Sequence, residues 1–157
     1  MALKFSPETL TRVGEFISRY PRKEGAVIPV LYLAQEEFGH LSPEAIDYVA
    51  RIMEVPPARL YGLVTFYTMF RNRPIGKYHI QVCRTLCCAL VGSEKITAFL
   101  KKKLAIEVGE TTKDGKFTLS EVECLASCGT GPVMQINDDN YGNLSEEKVE
   151  ELLQALK

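Results

Sequence analysis

The chain has 157 residues, of which 46% are hydrophobic and 25% are charged, a composition typical of a globular protein with a substantial core. Its formal net charge of -1 argues against a protein that binds nucleic acid or anionic lipid through overall charge. No apolar run approaches the roughly 20 residues of a membrane-spanning helix, and the N-terminal MALKFSPETL lacks the apolar stretch of a signal peptide. We therefore expect a cytosolic protein, in which cysteines more often bind metals than form structural disulfides.

The segment 6–70 predicts four successive helices, because apolar residues recur at helical spacing behind recognisable start signals. Ser6 and Ser42 each precede a proline and can cap a helix, and Gly39 is a typical helix end. The predicted starts are Ser6-Pro7-Glu8, Val27, Ser42-Pro43-Glu44 and Pro56-Pro57, and the second helix is predicted to end at Phe38. The fourth, residues 58–70, is apolar nearly all round, so we expect neighbours or a partner chain to cover it on several sides.

The stretch 71–77 (RNRPIGK) breaks the helical pattern and is predicted to separate two domains, residues 1–74 and 75–157. Beyond it, the pattern predicts strands at 77–82, 117–123, 133–136 and 141–144, and helices starting at Ser93 and behind Ser145. A helix between the first two strands makes them a parallel pair, and residues 137–140 are predicted to be the turn of a hairpin. The fold class is therefore α+β, with a helical bundle followed by a small sheet covered by helices.

Four of the five cysteines form two short clusters, each directly after a predicted strand. Four residues separate Cys83 from Cys88, and three separate Cys124 from Cys128. If the two strands are neighbours, both cysteine loops leave the same edge of one sheet. Thiolates select zinc or an iron-sulfur cluster over hard cations. Structural zinc sites commonly use Cys-x2-Cys, so the wider gaps favour an iron-sulfur cluster.

An iron-sulfur cluster with four thiolates is an anion that needs backbone N–H groups aimed at its sulfurs. Gly129 and Gly131 would let the loop after Cys128 turn its amides toward that anion, and the alternative is an ordinary loop before a proline. Cys87 directly precedes Cys88, and neighbouring side chains point in different directions, so only one of the two is expected to bind iron. Spacing does not choose between them. The simple alternative role for Cys87 is a buried small apolar residue.

Several segments together resemble one family. They are GLVTFYTMF in the helical part, VCRTLCC, KDGKFTLSEVECLASCGTGPVMQINDD and the terminal helix, and they cover nearly the whole chain. The sequence resembles the thioredoxin-like 2Fe-2S family that provides the E subunit of bacterial NADH:quinone oxidoreductase (complex I), also found in NAD-linked hydrogenases and formate dehydrogenases. The resemblance implies a thioredoxin-like second domain with one 2Fe-2S cluster. It implies the ligand set Cys83, Cys88, Cys124 and Cys128, with Cys87 outside that set.

The resemblance also implies a role in electron transfer. The cluster would exchange single electrons with the FMN of a partner flavoprotein that oxidises NADH, and the helical domain would dock on that partner. The chain has no Gly-x-Gly-x-x-Gly after a strand, so FMN and NADH are expected to bind to the partner. The expected host is complex I, where the chain would belong to the peripheral arm on the cytoplasmic side without entering the membrane. The alternatives are an NAD-linked (bifurcating) hydrogenase and a formate dehydrogenase.

Functions of other classes are weaker interpretations of the same residues. A zinc-stabilised interaction module needs only the four thiols. A thiol-disulfide oxidoreductase would need a Cys-x-x-Cys pair at a helix N-terminus, and the sequence has none. A DNA-binding helix-turn-helix over 41–67 would offer only Arg59 on its recognition helix. No catalytic residues are predicted, and electron transfer requires none.

Overall fold

The computed structural model describes residues 3–156, and the chain divides into two units, the first ending at Pro74 and the second beginning at Ile75. The N-terminal unit contains helices α1 (Pro7–Ser18), α2 (Val27–Phe38), α3 (Pro43–Met53) and α4 (Pro57–Phe66), with a 3₁₀ turn at Lys23–Ala26. The side chains of Ser6 and Ser42 cap α1 and α3 by accepting hydrogen bonds from backbone N–H groups three residues later, both at 3.2 Å. Gly39 ends α2 with φ of 79°. The predicted starts of these helices and the end of α2 are confirmed.

The fourth helix ends at Phe66, so the prediction that it continues to Phe70 is wrong. The cause is a tertiary contact from α2. The Gln35 amide donates a hydrogen bond to the carbonyl oxygen of Met69 at 3.0 Å, and its own oxygen accepts one from the N–H of Arg71 at 2.6 Å. These two bonds fix a backbone segment that is not helical, and they override the local helical pattern.

One continuous apolar core fills the N-terminal unit, and its largest fully buried side chains are Leu31, Leu41, Ile46, Met53, Leu60, Val30 and Val49. Helix α4 contributes Leu60 and Val64 to this core. Its far end is exposed, with Phe66 76% accessible and Tyr67 and Met69 also exposed. Within the described chain, neighbouring helices therefore cover this segment only in part. Cover by a partner chain stays a prediction.

The C-terminal unit contains β1 (Tyr78–Cys83), α5 (Leu86–Leu90), α6 (Ser93–Leu104), β2 (Phe117–Val122), β3 (Met134–Ile136), β4 (Asp139–Tyr141) and α7 (Glu146–Ala155). The four strands form one sheet in the order β2-β1-β3-β4. Strands β1 and β2 are parallel, as predicted, and pair from Tyr78 with Phe117 to Cys83 with Val122. The other two pairings are antiparallel. Helices α6 and α7 pack with the sheet around Ile80, Leu100, Leu119, Met134 and Val149. The α+β fold class is confirmed.

The last strand lies earlier than predicted, at Asp139–Tyr141 instead of 141–144. Asp139 pairs directly with Ile136, which leaves only two residues for the hairpin turn. Asn137 adopts a left-handed conformation there, with φ of 54°, which asparagine tolerates better than most residues. The Asn137 side-chain oxygen also accepts a hydrogen bond from the backbone N–H of His79 at 2.9 Å. This bond to β1 anchors the tight turn.

Candidate metal centre

The two cysteine loops begin at the same edge of the sheet. Strand β1 ends at Cys83, and its parallel neighbour β2 ends at Val122, two residues before Cys124. The backbone continues the sheet for one more step, because the N–H of Arg84 donates to the carbonyl oxygen of Val122 at 3.0 Å. The N–H of Cys83 donates to the carbonyl oxygen of Val133, also at 3.0 Å. The prediction that both loops leave one edge is confirmed.

The short helix α5 carries both vicinal cysteines, and it was not predicted. Successive side chains on a helix point about 100° apart, so Cys87 and Cys88 face different surroundings. Cys88 is only 2% exposed, whereas Cys87 is exposed to solvent. The interpretation of Cys87 as a buried small apolar residue is therefore wrong.

Cys83 and Cys88 form a buried pair. Together with Val133 they make a small apolar cluster, against which Leu125 packs. Burial is the main cause that raises the pKa of the Cys88 thiol, and the hydrogen bond between the two thiols adds to it. Cys83, at 1% exposure, also loses hydration that would stabilise its thiolate. Hydrogen bonds to the sulfur oppose this effect of burial, and they determine the direction in which the pKa of Cys83 moves.

Hydrogen bonds from nearby donors hold the pKa of Cys83 below its ordinary value, although burial alone would raise it. The Thr85 hydroxyl lies 3.2 Å from Cys83 Sγ. The backbone N–H groups of Leu125 and Thr85 also stabilise the thiolate. The sheet edge therefore presents several donors to one buried sulfur, which is the environment that an anionic metal-thiolate centre requires.

Cys87, Cys124 and Cys128 form a second, exposed group of thiols. Interaction with the Cys87 thiol, followed by interaction with Cys124, raises the pKa of Cys128 to about 11. The backbone N–H of Ala126 donates a hydrogen bond to Cys124 Sγ at 3.2 Å. Ala126 itself has φ of 55°, a left-handed conformation in which this amide turns back toward the sulfur. The second group thus also combines thiols with a backbone donor.

The structure brings the four predicted ligands together as two pairs, Cys83 with Cys88 and Cys124 with Cys128. Among residues 3–156, no three or more His, Cys, Asp or Glu side chains converge closely enough to hold a single metal ion. A 2Fe-2S cluster takes two ligands on each of its irons, so its four thiolates do not have to surround one ion. Paired soft donors, one pair buried and both supplied with N–H groups, fit such a cluster.

The donors to sulfur come from residues that the sequence did not single out. The N–H groups of Thr130 and Gly131 donate to carbonyl oxygens of their own turn, at 3.1 and 3.3 Å, so these two amides of the predicted loop are used within the turn. Gly131 instead leaves space for the neighbouring side chains of Val91 and Cys88. A Cβ there would lie 2.9 Å from Val91 Cγ2 and 3.8 Å from Cys88 Sγ. The donors are the Thr85 hydroxyl and the amides of Thr85, Leu125, Ala126 and Val133.

Only one of these donors had a signal in the sequence. Thr85 lies two residues after Cys83, where a hydroxyl can reach the sulfur. The amide donors depend on the path of the loop backbone, which residue types do not reveal.

Comparison with known proteins places this geometry in a family. Relatives include the E subunit of NADH-quinone oxidoreductase from Rickettsia prowazekii (strain Madrid E), 51% identical over 153 residues, with 96% of this chain and 86% of the relative covered. The E 2 subunit of NADH-quinone oxidoreductase from Rhizobium meliloti (strain 1021) is 45% identical over 140 residues, covering 89% of this chain and 83% of the relative.

The solved structure of an air-oxidised NAD+-reducing NiFe hydrogenase shares the fold, with a TM-score of 0.68 and 19% identity. It matches 80% of this chain but only 22% of the hydrogenase chain. The profile of the thioredoxin-like 2Fe-2S ferredoxin family matches residues 13–157. The paired thiols at the sheet edge, the relatives at about half identity and this family match agree: the chain belongs to the thioredoxin-like 2Fe-2S ferredoxin family.

Proposed function

We propose that this chain is the 2Fe-2S electron-transfer subunit, the E subunit, of an NADH:quinone oxidoreductase (complex I). The observation that carries the proposal is the grouping of four thiols and their hydrogen-bond donors at one sheet edge, in a chain 51% identical to a protein of that name. A bound 2Fe-2S cluster would supply reversible uptake of one electron. The chain is thus part of an oxidoreductase and contains no complete active site of its own.

The proposed ligands are Cys83, Cys88, Cys124 and Cys128. Cys88 is favoured over Cys87 because it packs against Cys83 in the buried cluster, whereas Cys87 is exposed. Cys87 nevertheless contacts Cys128, so the two vicinal thiols compete for one ligand position. Substitution of each residue in turn tests which of the two thiols binds iron.

The protein's own contribution is to hold the thiols and to stabilise their negative charge. Burial keeps water away from Cys83 and Cys88, which strengthens every hydrogen bond that reaches them. The amides of Thr85, Leu125 and Ala126 point partial positive charge at the sulfurs. No proton donor or nucleophile is needed for a transfer of single electrons.

We further propose that FMN and NADH are bound by a partner flavoprotein, and that residues 1–74 form the domain that docks on it. The exposed aromatic end of α4, with Phe66 and Tyr67, supports docking because large apolar side chains at the surface are typical of interfaces. The proposed location is the peripheral arm of the complex, on the cytoplasmic side of the membrane.

The equivalent subunit of an NAD-linked hydrogenase or formate dehydrogenase is the second candidate. The structural likeness to the NAD+-reducing hydrogenase favours it, but that likeness comes with 19% identity against 51% for the Rickettsia prowazekii relative. Complex I is therefore the better supported host.

Two measurements test the proposal. Reconstitution of the purified chain with iron and sulfide should give two irons and two sulfides per chain and the visible absorption of a 2Fe-2S cluster. One zinc per chain without sulfide would refute it in favour of a zinc-stabilised module. Affinity purification of the chain from its native source should then recover an FMN-containing flavoprotein with NADH:quinone oxidoreductase activity. Recovery of hydrogenase or formate dehydrogenase activity instead would change the host.

A further inference from the structure

Thr85 occupies the cap position of α5 but does not cap the helix. Its backbone is extended, with φ of -74° and ψ of 164°, as expected for that position, yet its hydroxyl makes no hydrogen bond to the amides of α5. The cap residues Ser6, Ser42 and Ser145 all accept such a bond at 3.2 Å. The Thr85 hydroxyl lies instead 3.2 Å from Cys83 Sγ. A group that normally stabilises a helix is here directed at a sulfur atom.

The direction of this hydrogen bond follows from chemistry. A thiolate that binds iron carries no proton, so the hydroxyl must donate and the sulfur must accept. Cys83 is fully buried, which leaves little access for a water molecule to replace the hydroxyl if it is removed. A donor to a charged sulfur in such surroundings is stronger than one in water.

We propose that Thr85 sets the reduction potential of the cluster by donating its hydroxyl hydrogen to Cys83 Sγ. The inference rests on the proposed function, since it requires a bound 2Fe-2S cluster. Uptake of an electron increases the negative charge shared by the thiolates, so a donor stabilises the reduced state more than the oxidised state. The Thr85 hydroxyl therefore raises the reduction potential.

The test is the substitution Thr85→Val, which keeps the shape of the side chain and removes the hydroxyl. In the full chain with a reconstituted cluster, a redox titration followed by electron paramagnetic resonance should give a more negative potential. The equilibrium constant for electron uptake should fall by about two- to tenfold, given the usual strength of a single hydrogen bond. For a one-electron couple, tenfold corresponds to about 59 mV.

Two further variants make the test specific. Thr85→Ser keeps a hydroxyl and should restore the wild-type potential. Thr130→Val is the matched control, because Thr130 also lies in a cysteine loop but its hydroxyl contacts Ser127, with Oγ at 2.9 Å and the carbonyl oxygen at 3.1 Å. It should leave the potential unchanged. An exchangeable proton coupled to the reduced cluster should disappear in Thr85→Val and persist in the other two variants.

The results with the Thr85 and Thr130 variants distinguish failure of this inference from failure of the proposed function. If Thr85→Val with a reconstituted cluster kept the wild-type reduction potential, or if Thr130→Val shifted that potential equally, the inference would be overturned and the proposed function would remain intact. If neither Thr85→Val nor Thr85→Ala retained a cluster while Thr85→Ser did, the hydroxyl would serve cluster retention instead, and the inference would also fail. A wild-type chain that never holds iron and sulfide would refute the proposed function itself.

Discussion

The N-terminal unit buries its apolar side chains in one continuous core, whereas the C-terminal unit divides them between two places. One is the core between the sheet and helices α6 and α7. The other is the small cluster of Cys83, Cys88 and Val133 at the sheet edge, and all five cysteines belong to this unit. The apolar core of the N-terminal unit is thus separate in sequence from the sheet edge of the C-terminal unit, where thiols take the place of aliphatic side chains. Substitutions in each region can show how far that separation holds.

The largest expected effect is complete loss of the cluster in Cys88→Ser, because the variant removes the buried thiol of a proposed ligand. Cys87→Ser is the matched control and should keep two irons and two sulfides per chain. Iron and sulfide analysis with the visible absorption spectrum measures both, and circular dichroism checks that each variant is folded. The reverse result would assign the ligand position to Cys87.

Truncation of a buried leucine should lower the free energy of unfolding by a similar amount in either core, but it should reduce the iron content in only one of them. Leu31→Ala in the N-terminal unit and Leu100→Ala in the C-terminal unit both remove fully buried side chains, and each should lower the free energy of unfolding by ~2–5 kcal/mol in urea titrations. Only Leu100→Ala should reduce the iron retained per folded chain. Leu10→Ala, at an exposed position, is the control and should change neither quantity. Equal loss of iron in Leu31→Ala would contradict the separation.

A smaller effect is expected for a helix cap that lies away from the thiols. Ser42→Ala removes the hydroxyl that caps α3 and should cost about 1 kcal/mol, while Ser42→Gly should cost only a few tenths of that. Urea unfolding of the iron-free chains compares the variants. Equal losses in Ser42→Ala and Ser42→Gly would contradict this role of Ser42.

The smallest effect should come from the ion pair that links the two cysteine loops. Both Nε and Nη2 of Arg84 donate to one carboxylate oxygen of Glu123, at 3.0 and 2.7 Å, but the two side chains are 59% and 65% exposed. Arg84→Ala should therefore shift the urea midpoint only slightly, and about 1 M salt should abolish the difference. A shift that survives high salt would show that Arg84 acts through packing rather than charge.

Local signals predicted the elements that depend on neighbouring residues. Ser6, Ser42 and Ser145 mark helix starts because a hydroxyl caps the amide three residues later, and α6 follows its predicted course from Ser93 to Leu104. The helix between β1 and β2 was enough to predict a parallel pair and a shared edge for the cysteine loops.

The predictions failed where a distant group decides the structure. Gln35 ends α4 from more than thirty residues away, and pairing of Asp139 with Ile136 moves the last strand. Helix α5 is too short to show a periodic pattern. The amide donors to sulfur depend on loop conformations such as that of Ala126, which no residue type in the loop signals.

The register between β1 and β2 also determines where the chain can accept insertions or deletions of residues. A slip of one residue would turn each β2 side chain to the opposite face of the sheet and shift the start of the Cys124 loop against Cys83. A deletion within β2 would therefore dismantle the site without altering any cysteine. An insertion at the exposed position Glu107, ahead of the paired segment, would cost little, since the entropy of loop closure grows slowly with length. We therefore expect an insertion at Glu107 to be tolerated and a deletion within β2 to be excluded.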